Sequence, residues 1–249
     1  MSDIIFKEKK NIAILTLSRE KTLNAWTSKM RKQICKIFSE LKKKKHIKAI
    51  IITGSGKKAF CSGQDLNEIK NFKSKNVNQW INEFKQVYTA IRSAEIPVIG
   101  AINGIAAGSG FQLALLTDIR VSHAKARFGQ VEINSGVVSI IGPWIIEKIL
   151  GMSKTIELCL TGQLIDGKEA KKNGIVHYLT ERDKVMSMSL KIARQLSDKP
   201  EKAMKLTKKR IWEMFKKDMN DVFEKAKIYH KESFNSGEPQ KKSKYILKK

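Results

Sequence analysis

Ile96–Thr117, which reads IPVIGAINGIAAGSGFQLALLT, is a run of 22 residues without a charged side chain. A run of this length raises the question of a membrane span. Pro97 and the repeated glycines argue against one, because both residue types interrupt a continuous helix. The same pattern fits a buried strand over residues 97–102, then a tight turn and the start of a helix. We therefore expect a core segment of a globular protein and no membrane partner.

The middle of this run, Ala106–Ala114 (AAGSGFQLA), places small residues at the beginning of a helix that continues towards Leu116. Small residues let a ligand approach the backbone, and the first N–H groups of a helix have no partner within it. These donors, with the positive end of the helix dipole, suit a developing oxyanion. Close packing without any ligand also explains the small residues, so this segment alone does not decide the function.

Hydrophobic periodicity elsewhere predicts alternating strands and helices. Strands are expected over residues 11–17, 48–53 and 97–102, and amphipathic helices over 22–45 and 79–91. This alternation predicts an α/β domain with crossover connections. From residue 184 the pattern is helical, with apolar stripes over 185–196, 201–215 and 222–234, and residues 237–249 are polar and basic. We therefore divide the chain into a core, residues 1–190, and a C-terminal helical region, residues 191–249.

The composition limits the class of protein and the partners it can have. The 249 residues carry a net charge of +25, from 49 Lys and Arg against 24 Asp and Glu. Only 8 of these 49 are Arg, which is the residue best suited to paired contacts with phosphates and bases, and the lysines are spread along the whole chain. This texture is typical of solvated faces and argues against nucleic acid as a partner.

Cysteines and histidines are too few and too scattered to build a disulfide framework or a metal site. The chain has three cysteines, Cys35, Cys61 and Cys159, and four histidines. Residues 1–11 lack the basic and then apolar pattern of a signal peptide. We expect a cytoplasmic protein that holds no metal.

Two short segments resemble known motifs, a phosphate loop and a nucleophile elbow, but match neither. The sequence GSGK at residues 54–57 resembles part of a phosphate loop, but Ile51 and Lys58 stand where that motif requires Gly and Ser or Thr. Gly108-Ser109-Gly110 has its glycines next to the serine, whereas a nucleophile elbow has them two positions away.

A second glycine-containing turn, Ala59–Leu66 (AFCSGQDL), follows the strand predicted over 48–53. Together with motifs in other parts of the chain, this turn resembles the crotonase (enoyl-CoA hydratase/isomerase) family. The further matching segments are Leu17-Ser18-Arg19, Leu23-Asn24-Ala25, Ile96–Gly104 with the helix start after it, Asp118-Ile119-Arg120, Phe128–Asn134, Gly136 and Leu160-Thr161-Gly162.

The resemblance implies an α/β fold, a crotonase-like spiral of ββα repeats with a C-terminal helical trimerisation region. It implies an acyl-CoA substrate, coenzyme A being part of that substrate and no separate cofactor, and self-assembly as a homotrimer or a dimer of trimers. The oxyanion hole falls on the backbone N–H groups of Gln64 and Ser109, although the family usually has Gly in place of Ser109. Lys58 matches a position that often meets the CoA phosphates. Other implied substrate or CoA contacts are Thr22, Leu23, Ser62, Gly63, Asp65, Leu66, Gly104, Gly108 and Val131.

The resemblance implies two catalytic residues, Glu132 and Gln112, and these decide which reactions are possible. Glu132 matches the second glutamate of the family's hydratases, and Gln112 stands where the first would be. An amide does not ionise near neutral pH and so cannot act as the second acid or base, which puts the mechanism with two carboxylates in doubt. One carboxylate, whose pKa we expect burial to raise, suffices to move a proton from C2 to C4 of a 3-enoyl thioester. Δ3,Δ2-isomerisation and hydration both stay open, as does a catalytically impaired relative that only binds acyl-CoA; a basic nucleic-acid-binding protein is the remote alternative.

The segment after Glu132 departs from the glycine-rich pattern common in hydratases. Residues Val137–Ile146 read VVSIIGPWII, with Pro143 and the bulky Trp144. The resemblance implies that this segment lines the acyl pocket or supports the helix behind it. We therefore expect an acyl preference unlike that of a short-chain hydratase.

Overall fold

Short apolar runs of the chain become strands, which form two sheets in the computed structural model; the structure describes residues 3–248. The strands are β1 (Ile4–Lys9), β2 (Ile12–Leu17), β3 (Ala49–Gly54), β4 (Ala59–Cys61), β5 (Val98–Ala101), β6 (Ile105–Ala107), β7 (Ile119–His123), β8 (Arg127–Gly129), β9 (Ile165–Asp166) and β10 (Tyr178–Thr180). The first sheet has the order β1-β2-β3-β5-β7-β10, and the second has the order β4-β6-β8-β9.

Helices connect and cover these strands. They are α1 (Ser28–Leu41), α2 (Leu66–Ile69), α3 (Val77–Arg92), α4 (Ser109–Leu116), α5 (Ile141–Thr161), α6 (Gly167–Lys172), α7 (Val185–Ser197), α8 (Glu201–Phe215), α9 (Met219–Asn235) and α10 (Glu238–Ile246). A kink at Gly151, where φ is 74°, divides α5 into two helical halves.

The chain advances as a spiral in which one strand enters each sheet before a helix follows. β3 and β4 precede α3, β5 and β6 precede α4, and β7 and β8 precede α5. Apart from the β1–β2 hairpin, neighbouring strands of the first sheet run parallel, as crossover connections require. The predicted α/β spiral of ββα repeats is confirmed.

Strand β3 lies in the middle of the first sheet and all six of its residues are buried. Ile50 and Ile52 belong to the main core, whereas Ala49 and Ile51 face a smaller cluster that α7 completes. Both faces of the strand are therefore covered, which explains its continuous apolar sequence. The predicted division between residues 190 and 191 falls inside α7, within this second cluster.

The helix predicted over residues 22–45 is wrong in its first turns, because α1 begins only at Ser28. Leu23 and Asn24 adopt positive φ angles of 53° and 56°, which helical backbone excludes. The Asn24 side chain holds this loop by donating from Nδ2 to the carbonyls of Ser55, at 3.0 Å, and Ala59, at 2.8 Å. Thr27 then caps the helix, accepting a hydrogen bond from the Met30 N–H.

The charge-free run of residues 96–117 becomes β5, β6 and α4, as a core segment should. Over residues 3–248 we find no helix with the length and apolarity needed to cross a bilayer. The polar and basic stretch after residue 237 contains an additional helix, α10, whose Pro239 and Ser243 are buried.

Candidate active site

A cavity of about 550 Å³ lies between the loop before α1, the turn after β4, the helices α3 and α4, the segment before α5, and the C-terminal helices α9 and α10. Its interior is largely apolar. The apolar lining comes from Ile69, Trp80, Ile81, Phe84, Val137, Val138, Ile140, Ile141, Ile246 and Leu247. The segment after Glu132 therefore lines the cavity as expected, while its Trp144 packs behind, with ring centroids 4.7 Å from Phe215.

Most residues that the resemblance implicated line this cavity together. They are Thr22, Leu23, Ser62, Gly63, Gln64, Asp65, Leu66, Gly108, Ser109, Gln112, Val131 and Glu132. Gly104 and Lys58 lie outside the lining; a Cβ atom at Gly104 would collide with the backbone of Lys58, so this glycine permits close packing. Lys21 is the lysine that lines the cavity within the described chain.

An isolated parallel bridge at Trp26 and Gln64 connects the turn that carries Gln64 to the loop before α1. The Trp26 N–H donates to the Gly63 carbonyl at 2.9 Å, and the Asp65 N–H donates to the Trp26 carbonyl at 3.2 Å. This parallel bridge leaves the N–H of Gln64 itself outside the ladder. Gly63 has a φ of 102°, and a Cβ atom there would lie 2.8 Å from the Ala107 carbonyl. Only glycine fits this turn.

Ser109 presents the second backbone donor. It is the first residue of α4, so its N–H has no acceptor within the helix. A Cβ atom at Gly63 would lie 3.4 Å from this nitrogen, which places the two turns side by side. The Ser109 hydroxyl accepts a hydrogen bond from Trp26 Nε1 at 2.9 Å. Because Trp26 holds the hydroxyl and the backbone is helical, serine is accommodated where the family usually has glycine.

Glu132, Gln112 and Tyr88 form a hydrogen-bonded chain at the cavity wall. The Tyr88 hydroxyl donates to Gln112 Oε1 at 2.6 Å, and Gln112 Nε2 donates to Glu132 Oε1 at 3.1 Å. The tyrosine thus fixes the amide with its NH₂ group towards the carboxylate. Glu132 Oε2 is enclosed and has no hydrogen-bond partner among residues 3–248. Gln112 therefore holds one oxygen of the carboxylate, and the other oxygen has no partner among the described residues.

Burial sets the protonation states of Glu132 and Tyr88 in this hydrogen-bonded group. It raises the pKa of Glu132 to about 7, as expected from the sequence. Burial, with the negative charge of Glu132, also holds the pKa of Tyr88 well above its ordinary value, so that Tyr88 stays a donor. A carboxylate that titrates near neutral pH is suited to take a proton and to return it.

A buried ion pair supports the turn of Gln64. Arg31 donates to Gln64 Oε1 at 2.8 Å and to Glu83 Oε2 at 3.0 Å, and its side chain is 1% exposed. Gln64 Nε2 in turn donates to Glu68 Oε2 at 2.6 Å. Sequence reasoning missed Arg31, Glu83 and Tyr88. The available signal was a charged residue on the apolar face of each amphipathic helix, at Arg31 in α1 and Glu83 in α3.

Residues 7–247 match the family model described as enoyl-CoA hydratase/isomerase. The short-chain-enoyl-CoA hydratase of Clostridium acetobutylicum is 30% identical over 212 residues, which cover 85% of this chain and 81% of that protein. A solved enoyl-CoA hydratase subunit from Geobacillus kaustophilus is 28% identical, with a TM-score of 0.80 over 92% of this chain and 89% of that one. An enoyl-CoA hydratase/isomerase structure from Mycobacterium paratuberculosis shares the fold, with a TM-score of 0.90 over 98% of both chains at 22% identity.

Proposed function

Since this chain belongs to the enoyl-CoA hydratase/isomerase family, we propose that it isomerises 3-enoyl-CoA to 2-enoyl-CoA thioesters with Glu132 as its single acid and base. The observation that carries the proposal is the pair Gln112–Glu132, in which an amide occupies the place of a second carboxylate. An amide can orient a group, but it cannot supply or accept the second proton that hydration by two carboxylates requires.

The reaction needs one proton carrier and one oxyanion hole. Glu132 takes a proton from C2 of the 3-enoyl thioester, and the negative charge moves to the thioester oxygen. The N–H groups of Gln64 and Ser109 stabilise that enolate oxygen. The protonated Glu132 then returns the same proton to C4, and the double bond moves from C3–C4 to C2–C3. Atoms and charge balance without a cofactor, and coenzyme A enters only as part of the substrate.

The polar end of the substrate needs a positive partner at the mouth of the cavity. Lys21 lines the cavity, and Lys58 is exposed on the turn before β4. We propose that both lysines contribute to binding the CoA phosphates, because each carries a compact positive charge on a flexible side chain.

The test offers the purified protein matched 3-enoyl-CoA and 2-enoyl-CoA thioesters. We expect turnover of the 3-enoyl substrate and its loss by at least a thousandfold in Glu132→Gln, which keeps the shape of the side chain but cannot carry the proton. Isomerisation that survives in Glu132→Gln contradicts the assignment.

Hydration of 2-enoyl-CoA is the second candidate, because the relative from Clostridium acetobutylicum is named a hydratase. Gln112→Glu separates the two reactions: it adds the missing carboxylate beside Glu132, and we expect it to raise hydration relative to isomerisation. Efficient hydration by the unchanged protein favours this second candidate. Binding of acyl-CoA without turnover of either substrate points to a catalytically impaired relative.

We further propose assembly as a homotrimer or a dimer of trimers. Met152, Ile156 and Leu160 follow one another at four-residue spacing on the second half of α5, and they are 60%, 51% and 67% exposed. An exposed apolar stripe on a helix is typical of an interface. Light scattering after size exclusion measures the mass. We expect Ile156→Glu to dissociate the assembly and Lys36→Glu, on the exposed face of α1 in the core, to leave it intact; a monomeric wild-type protein contradicts the proposal.

A further inference from the structure

His230 is a polar side chain in the wall of the cavity to which the proposed chemistry gives no role. His230, on α9, lines the cavity and is 5% exposed. Its Nδ1 is enclosed and has no hydrogen-bond partner in the described part of the chain. Buried polar atoms in proteins are nearly always paired, so an orphaned one in the wall of a binding cavity indicates a partner supplied by the ligand.

Aromatic rings hold His230 in place instead of hydrogen bonds. The Trp80 ring meets the imidazole edge-on, with centroids 5.0 Å apart, and the Phe234 ring stacks on it at 6.3 Å. Ile246 and Leu247 extend the same wall. A purely structural role in such surroundings would be filled better by Phe or Leu, which leave no polar atom unpaired.

Trp80 contacts both His230 and the turn of Gln64. Its indole Nε1 donates to Gln64 Oε1 at 3.4 Å, while its ring contacts His230. The imidazole is therefore separated from the turn of Gln64 by the width of an indole. A ligand group that reaches His230 must lie several carbon atoms away from the thioester carbonyl.

The charge state of His230 selects the kind of group. Burial lowers the pKa of His230 to about 4, so the ring is neutral near neutral pH. A neutral imidazole has one donor and one acceptor. A hydroxyl group matches both, whereas a methylene matches neither.

We propose that His230 forms a polar subsite for a hydroxyl group carried by the acyl chain, several carbons from the thioester. The inference rests on the proposed function only for the identity of the ligand as an acyl thioester. It makes the preferred substrate class hydroxylated acyl-CoA and distinguishes it from unsubstituted acyl-CoA of the same length.

The test measures binding, so that it does not depend on turnover. Dissociation constants are determined by calorimetry for saturated hexanoyl-, octanoyl- and decanoyl-CoA and for their ω-hydroxy counterparts. We expect the hydroxyl to tighten binding about fivefold or more at one of these lengths. In His230→Phe, which keeps a ring against Trp80, we expect the preference to reverse while the plain acyl-CoA binds at least as tightly. Lys231→Ala, on the exposed side of the same helix, serves as the matched control.

Each outcome decides one statement. If none of the six thioesters binds, the proposed function fails and the subsite fails with it. If they bind and the hydroxyl has no effect at any length in the wild-type protein, the subsite is wrong and the proposed function stands. Retention of the preference in His230→Phe likewise contradicts it, and the wild-type comparison still decides should that variant not fold.

Discussion

Glu132, the proposed acid and base, has its two carboxylate oxygens in different surroundings. Oε1 accepts the Gln112 hydrogen bond, and Oε2 is enclosed without a partner in the described chain. Because burial raises the pKa of Glu132 to about 7, the carboxyl is protonated below that pH and cannot accept the C2 proton. We expect kcat/KM for the 3-enoyl substrate to fall about tenfold per pH unit below pH 7 and to level off above it. A profile flat down to pH 5 contradicts this role.

Tyr88 is a positioning residue that reaches Glu132 through Gln112. Tyr88→Phe removes the hydroxyl and keeps the ring, which stacks on Trp26 at 6.3 Å. The amide is then free to turn its oxygen towards Glu132, which disfavours the carboxylate. We expect kcat to fall about fivefold, the value of one hydrogen bond of about 1 kcal/mol, and the acid limb to move to higher pH. Tyr178→Phe on exposed β10 should change neither; a fall in kcat with an unmoved limb indicates a structural role only.

Sequence reasoning proposed Gln112 and Glu132 as the catalytic pair but did not identify the side chains that hold them in place. Gln112 and Glu132 belong to motifs with fixed order and spacing, and the structure brings them within 3.1 Å. Tyr88 belongs to the apolar stripe of α3, where a buried tyrosine and a buried phenylalanine give the same pattern. Only the fold shows that the hydroxyl of Tyr88 lies next to the amide of Gln112.

The Gly63 turn places the two backbone N–H groups that we propose for the oxyanion hole side by side. Gly63→Ala forces an L side chain to a φ of 102° and places Cβ 2.8 Å from the Ala107 carbonyl. We expect a loss of about 1–3 kcal/mol of unfolding free energy and at least a tenfold fall in kcat, because the Gln64 N–H moves. Gly174→Ala is the matched control, since Gly174 has a φ of 76° and open space around it. Its kcat should not change; equal losses of activity in both variants contradict the argument.

The pair Arg31–Glu83 joins α1 to α3 beneath the same turn. Both side chains are buried, at 1% and 8% exposure, with 3.0 Å between Nη2 and Oε2. Arg31→Met leaves the Glu83 carboxylate without its buried partner, and we expect a loss of about 3–5 kcal/mol in urea unfolding. Lys32 also contacts Glu83, at 3.3 Å, but is 60% exposed. Lys32→Met should cost less than about 1 kcal/mol. Similar losses in the two variants contradict the distinction.

Element boundaries show where periodicity misleads. Helices over 79–91 and 201–215 were predicted closely, because their apolar stripes pack on the core along their whole length. The helix predicted over 22–45 starts several residues before α1 does, since Leu23 and Trp26 fit its spacing by chance. Asn24 fixes the loop by hydrogen bonds to residues 55 and 59, and contacts so distant in sequence leave no periodic signal.

For the whole molecule, we expect the net charge of +25 to raise the association rate of a negatively charged ligand. CoA thioesters carry phosphates, so the field of the protein should speed their capture and salt should screen it. We expect the association rate for acyl-CoA to fall several-fold between 10 mM and 150 mM salt in stopped-flow measurements. The uncharged N-acetylcysteamine thioester of the same acyl group is the control. Equal salt dependence of the two thioesters contradicts this interpretation.

The walls of the cavity are drawn from nearly the full span of the described chain, from Lys21 to Ile246 and Leu247. On a ribosome these last two residues are synthesised more than a hundred residues after Glu132. A nascent chain can therefore complete its sheets and place Glu132 before this part of the cavity wall exists. For the acyl-CoA ligand that we propose, the binding site is then incomplete until residue 247 has left the exit tunnel.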